Sequence, residues 1–274
     1  MNEVDAFLEN GFCFEYYGSW TSKCRGRHYE KEHIIQATVL AQLVRGSSTG
    51  IINGRRYNKP EGTVTMLPPG TLSGSDVRGK LLVFRGMRFN FLLCGGINLF
   101  SLYSFPFVFD MKSSLRLGRK IAQLVKCRDL PDKLSAAVRR KRIAWSICED
   151  ILPFAKKKPD FERILSGVSR LDKVFAHIRE KLPGNIPIEE LAGTANLSVS
   201  RFHVLFRETT GFSPHEYILR EKLKQAGHLL KTTDMTLSEI SMQTGFYDNY
   251  HLGKMFKKIF RISPGQYRHR NDIM

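Results

Sequence analysis

With 274 residues, 42% of them hydrophobic and 25% charged, the chain has the composition of a globular protein large enough for one big domain or two ordinary ones. Its formal net charge of +17 calls for a polyanionic partner, nucleic acid before an acidic membrane surface. Five cysteines (Cys13, Cys24, Cys94, Cys127, Cys148), never at CxxC spacing, argue against a disulfide scaffold or zinc module. The acidic start without a signal-peptide pattern, and an apolar stretch around residues 100–109 too short for a bilayer, lead us to expect a soluble cytoplasmic protein with no membrane role.

The first hundred residues read as β structure. Residues 37–44 (ATVLAQLV) are a β-branched, apolar run closed by Arg45-Gly46-Ser47-Ser48. Asn53-Gly54 stands between strand-like flanks, as expected of a type I′ hairpin, whose two central residues need positive φ. Gly62 leads residues 63–67 into Pro68-Pro69-Gly70, and residues 80–84 make another short strand. Short strands at this spacing predict a small barrel or jelly roll.

From about residue 111 the period turns helical. Leu117, Ile121, Leu124 and Val125 recur at three and four residues; after Pro131, so do Ala137, Ala144, Trp145, Cys148, Ile151 and Leu152. Pro153 and Lys156-Lys157-Lys158-Pro159 mark a linker. The two helices pack either on the barrel or on a second subunit. Residues 111–166 hold 15 Lys/Arg against 6 Asp/Glu, compared with 12 against 9 before them and 16 against 11 after. The run Arg139-Arg140-Lys141-Arg142 covers every side of a helix, so part of it is exposed, as a nonspecific attraction for DNA or as a solvated face.

From about residue 168 the chain is helical and repeats itself. Phe206-Arg207 matches Phe256-Lys257, Ser213-Pro214 matches Ser263-Pro264, and Tyr217 matches Tyr267, at an offset of 50; upstream, Leu191 matches Ile240 at 49, so the second copy has one extra residue in its turn. Ser213-Pro214-His215-Glu216, Ser263-Pro264-Gly265-Gln266 and Thr236-Leu237-Ser238-Glu239 have the form of capping boxes. In each copy a short helix ends at Asn196 or Gly245, and a second opens behind Ser198 or Asp248. That is the helix-turn-helix plan.

Helical spacing buries Phe202, Leu205, Phe206 and Thr209 in the first copy, and Leu252, Met255, Phe256 and Ile259 in the second. The opposite faces carry Ser200, His203, Val204 and Arg207, with Arg201 on the flank, and Tyr250, Gly253, Lys254 and Lys257, with Asn249 and His251 at the helix start. These groups suit base edges and phosphates, and the faces hold no acid. One such face would pass for ordinary solvated surface. Two in register, each behind a capped helix, argue for a reading surface.

On these residues, 168–270 resembles the DNA-binding domain of the AraC-type family of bacterial transcription regulators. The match runs over Leu191-Ala192, Ser200 to Phe206, Thr210-Gly211-Phe212-Ser213-Pro214 and Tyr217, then Ile240-Ser241, Thr244-Gly245-Phe246, Phe256-Lys257-Lys258, Phe260, Ser263-Pro264 and Tyr267-Arg268. The resemblance implies seven helices, with one from Pro214 to about Lys231 joining two units that enter adjacent major-groove segments roughly one turn, ~34 Å, apart. By position it assigns base reading to Ser200, Arg201, His203, Val204, Asn249, Tyr250, His251 and Lys254, and phosphate contact to Arg207 and Lys257. Arg261 departs from the family's usual small or acidic turn residue. Val204 stands where the family is often polar, which suits a thymine methyl.

The resemblance also makes the front region a cupin-like sensor, so the expected class is α+β: a sensor domain over 1–110, connecting helices and linker over 111–166, and a double helix-turn-helix domain over 167–274. It implies a homodimer, a small-molecule effector (a sugar or small acid), contact with RNA polymerase, activation of transcription, and localisation in a bacterial cytoplasm, on the nucleoid when bound. Trp20 and Arg27, preceding the first barrel strands, and Arg45, ending one, are candidate effector ligands by stacking and paired hydrogen bonds; otherwise Trp20 is core and the arginines are solvated. Only His28 and His33 precede residue 177 and no HxH appears, so no metal, no cofactor and no enzymatic activity is expected. The rival classes are a cupin-type enzyme tethered by the rear domain, and an architectural DNA binder without an effector.

Overall fold

The computed structural model describes residues 12–35, 37–93, 97–127, 130–260 and 262–269. It divides into two compact units, one from residues 12–93 and 98–161, the other from residue 162 onward. Among the described residues no helix is long and apolar enough to cross a membrane.

The first unit is an antiparallel sheet organised by two long strands, β1 (Phe12–Ile34) and β6 (Leu72–Leu93), which pair along most of their length. Register shifts at Tyr16/Gly18, Cys24/Gly26 and Glu30/His33 let the ladder twist. On its other edge β6 pairs first with β3 (Ser48–Ile52) and then with β2 (Thr38–Arg45); with β4 (Arg55–Lys59) and β5 (Val64–Leu67) the order is β4-β3-β6-β2-β5. β4 joins β3 through the expected hairpin, with Asn53 at φ 49° and Gly54 at φ 76°. β5 lies on β2.

Two expectations need correction. The short strand at residues 80–84 is the middle of the 22-residue β6. Trp20 and Arg27 lie inside β1 rather than ahead of the sheet. Gly86, inside β6, marks a close approach: a Cβ there would stand 2.6 Å from the Trp20 ring and 3.0 Å from the Leu40 carbonyl.

After a pair of two-residue strands, β7 (Ile97–Asn98) and β8 (Tyr103–Ser104), come the helices α1 (Met111–Lys126) and α2 (Lys133–Ile151). Asp110 caps α1 by accepting from the Ser113 N–H at 3.0 Å, and Asp132 caps α2. Of the two dockings left open, the helices pack on the sheet of their own chain: the Val64 N–H donates to Ser114 Oγ at 2.9 Å, and Gly118 lies against the Gln42 amide. The buried side of α2 is Ala136, Ile143, Ala144, Ile147, Cys148 and Ile151; Trp145 and Leu152, expected in that stripe, are exposed. The expected linker is also more ordered. Leu152–Phe154 form a 3₁₀ turn, β9 (Lys156–Lys157) pairs with β8, and the Lys158 N–H donates to Leu102 O.

The second unit is all helix: α3 (Phe161–Lys181), α4 (Ile188–Thr194), α5 (Val199–Thr210), α6 (Pro214–Thr232), α7 (Leu237–Gln243), α8 (Asn249–Phe260) and α9 (Pro264–His269). Helix starts about seven residues earlier than the sequence suggested. Phe175, Phe202, Phe206 and Tyr217 form one aromatic core, with ring centroids 5.3 to 5.8 Å apart. Leu223, Ala226, Leu230, Ile240, Phe246, Leu252 and Phe256 form the other. α6 contributes Tyr217 to the first and Leu223, Ala226 and Leu230 to the second, so one rigid helix ties both cores together.

Candidate nucleic-acid interface

The two halves of the second unit build the same local device from different residues. After α4, Asn196 takes a left-handed φ of 54° and the Leu197 N–H donates back to Ala192 O. After α7, Gly245 takes φ 68° and the Phe246 N–H donates back to Ser241 O. Both are Schellman-type terminations, which turn the chain sharply enough to start a second helix within a few residues. Ser198 then caps α5 by accepting from the Arg201 N–H at 3.5 Å; Asp248 accepts from the His251 N–H at 2.6 Å at the start of α8.

Capping elsewhere fixes the partner helices. Thr236 and Glu239 form a full capping box, and its hydrogen bonds hold the Glu239 carboxyl below its ordinary pKa. Ser263 and Gln266 exchange the same pair of bonds. At Ser213 only half of the expected box is present: Ser213 Oγ accepts from the Glu216 N–H, while the Glu216 carboxylate accepts from Arg220 Nε and Nη2 one turn on. A guanidinium is the stronger donor for that carboxylate.

The outward residues of α5 and α8 sit as the spacing predicts. Ser200, Arg201, Arg207, Asn249, His251, Lys254 and Lys257 are exposed, Val204 is 60% exposed and Tyr250 76%. His203 is half-buried, its ring near Phe202. Phe202, Phe206, Thr209, Leu252 and Phe256 are buried, which holds these faces outward. α8 contains no acid. On α5 the acid-free stretch ends at Arg207; Glu208, one turn beyond Val204, pairs with Arg163 of α3 at 3.0 Å. One residue escaped the sequence reading. Tyr247, in the turn just before the Asp248 cap, is 93% exposed. Its position between a left-handed glycine and an N-cap was the available signal.

The effector candidates are not brought together. Trp20 pairs with Gly86 of β6, which pairs in turn with Ala41 of β2; Arg45 lies four residues farther along β2, more than 10 Å at strand rise. The Trp20 ring packs on Gly86 and takes the Arg88 guanidinium at 5.7 Å, as a structural residue would. Arg27's side chain lies outside the described residues. A groove of about 580 Å³ opens instead beside β3, where Tyr29, Asp76, Thr49 and Asn58 form one cross-strand row with Arg56 and Ser47 near its ends.

Paired, capped helix-turn-helix units sharing a rigid central helix define a DNA-binding domain. A family model described as "Helix-turn-helix domain" matches residues 191–270. The MmsAB operon regulatory protein of Pseudomonas aeruginosa is 30% identical over 41% of this chain and 36% of its own length. The transcriptional activator RhaS of Klebsiella pneumoniae is 29% identical over 45% of each chain. The lactose operon transcription activator of Staphylococcus xylosus is 24% identical over 88% of this chain and 86% of its own. This chain thus spans less than half the length of the first two. Over 94% of this chain and 95% of the other, the fold is similar to that of ToxT from Vibrio cholerae, solved with an unsaturated fatty acid, at TM-score 0.53 and 13% identity.

Proposed function

We propose that the protein is a sequence-specific DNA-binding regulator that activates transcription, with α5 and α8 seated in successive major-groove segments. The observation that carries this is the pairing of two exposed, almost acid-free helix faces behind two turns of the same geometry, in a fold whose relatives bear the names of transcription activators. Ser200, Arg201, His203 and Val204 read bases from α5; Asn249, Tyr250, His251 and Lys254 read them from α8. Arg207 and Lys257, one turn farther along, hold phosphates.

A small polar effector, a sugar or small acid, binds the sheet unit and biases the regulator; the row Tyr29–Asp76–Thr49–Asn58 with Arg56 favours the β3 groove over the Trp20 surroundings. The active form is a homodimer. Leu134 at 74% exposure and Val138 at 60%, one turn apart on α2, make an apolar patch suited to a second copy. RNA polymerase is the downstream partner.

The test is selection of bound duplexes from a random library, followed by His203→Ala and Asn249→Ala. Each variant should lose roughly 1–3 kcal/mol on the selected site and relax preference at one base position. Equal loss on every sequence would remove these residues from the reading surface.

A further inference from the structure

We infer that the outward face of α1 is a second DNA-contacting surface, one that grips phosphates without reading sequence. α1 holds Lys112, Arg116, Arg119, Lys120 and Lys126 and no acidic residue in its sixteen. Its buried side is Ser113, Ser114, Leu117, Gly118, Ile121 and Leu124. At 3.6 residues per turn this sets Lys112, Arg119 and Lys126 on the opposite side at seven-residue intervals, and all three are exposed.

Neutralisation nearby is sparse. Asp150 pairs with Lys120 at 2.7 Å and with Arg116 at 3.3 Å, so two cations share one carboxylate. Asp110 is engaged as the N-cap. Lys112, Arg119 and Lys126 make no ion pair among the described residues. The helix carries like charges at the i,i+3 and i,i+4 spacings Lys112/Arg116, Arg116/Arg119 and Arg116/Lys120, each of which opposes helix formation. Solubility alone is served as well by mixed signs. A one-sign row kept against its own repulsion fits a polyanion.

The dimensions also fit. Lys112 to Lys126 spans about 21 Å at 1.5 Å per residue, and each DNA strand presents a phosphate about every 3.4 Å along its axis. A groove of about 680 Å³ opens along this side of α1, lined by Lys112, Arg116, Arg119 and Lys120 together with Ser113, Gln123 and the capping Asp110. The inference rests on the DNA-binding reading, which supplies the polyanion.

The test uses the full chain, a random-sequence duplex of about 40 base pairs, and anisotropy titrations at several KCl concentrations. The triple variant K112Q/R119Q/K126Q should flatten the dependence of log K on log salt by about 2.7, at 0.9 per phosphate contact, while preference for selected over random duplex is unchanged. The single variants should each remove about 0.9, which keeps the test decisive if the triple variant folds poorly. An unchanged slope in folded variants overturns the inference, and would leave an acidic protein face as the partner of α1. His203→Ala with Asn249→Ala, run in parallel, separates the two readings. If that pair loses sequence preference and the α1 variants change nothing, only this inference falls; if wild type binds no duplex, both fall.

Discussion

Gly245→Ala tests whether the turn of the second unit is held by backbone geometry, as the structure requires. Gly245 sits at φ 68°, where a Cβ costs roughly 1–2 kcal/mol. The added methyl would also stand 2.1 Å from the Pro183 carbonyl oxygen and 3.0 Å from Lys222 Nζ. Cβ atoms essentially never approach closer than 3.0 Å, and the nearest obstacle is backbone, so the turn must move by about 1 Å rather than a side chain swing aside. Overpacking of this kind typically costs about 1–3 kcal/mol. Movement also strains the bond from Lys222 Nζ to Gly245 O, whose lysine is partly desolvated and held below its ordinary pKa. The expected loss is therefore about 2–5 kcal/mol in the helical unit, read by urea unfolding followed by circular dichroism. DNA binding should fall with it, because α8 begins four residues later. Asn196→Gly is the matched control: it keeps the left-handed turn, adds no atoms, and should stay within about 0.5 kcal/mol of wild type. A Gly245→Ala protein equally close to wild type would refute the steric account.

Two further outcomes follow from titratable groups. Because the capping box lowers the Glu239 pKa in the folded state, its contribution is present above the ordinary glutamate value and is lost as pH falls through the folded one. The stability gap between wild type and Glu239→Ala should therefore narrow as pH drops below about 4.3, and a gap that stays constant would mean the carboxylate charge is irrelevant. Burial pushes the Cys148 thiol up to about 12 and Cys127 is also buried, whereas Cys13 is exposed. Mass spectrometry after alkylation near pH 8 should find Cys13 modified in the native protein and Cys148 only on unfolding; equal labelling would contradict the buried placement.

The helical unit was legible because its rules are local. A left-handed residue, a hydroxyl or carboxylate cap and a 3–4 apolar stripe each act within a few residues, so Asn196, Ser198, Thr236 and Phe256 announce their roles unaided. The sheet was legible in its short strands, at residues 37–44 and 63–67, and at the Asn53-Gly54 hairpin, but not in its two long strands. β1 mixes charges, aromatics and glycines because most of its pattern is set by β6, some sixty residues away, and Gly86 is required by a tryptophan across the ladder rather than by a turn. Likewise, the burial of α2 depends on which face α1 and the sheet leave for it, and so Trp145 was misplaced.

The one-residue offset between the repeats shows how local rules diversify two copies of one device. In the first repeat the cap, Ser198, follows the left-handed residue by two positions; in the second repeat, Asp248 follows Gly245 by three. Leu197 and Phe246 make equivalent back-bonds, so the inserted residue is Tyr247. It displaces the start of α8 by one residue relative to its own supporting helix and places a nearly bare aromatic ring beside the helix start. Aligned at the caps, Ser200 faces Tyr250, His203 faces Gly253 and Val204 faces Lys254. The two faces differ at every one of these positions while their buried stripes are nearly interchangeable, which is what packing for a common fold and reading for two different half-sites would each demand.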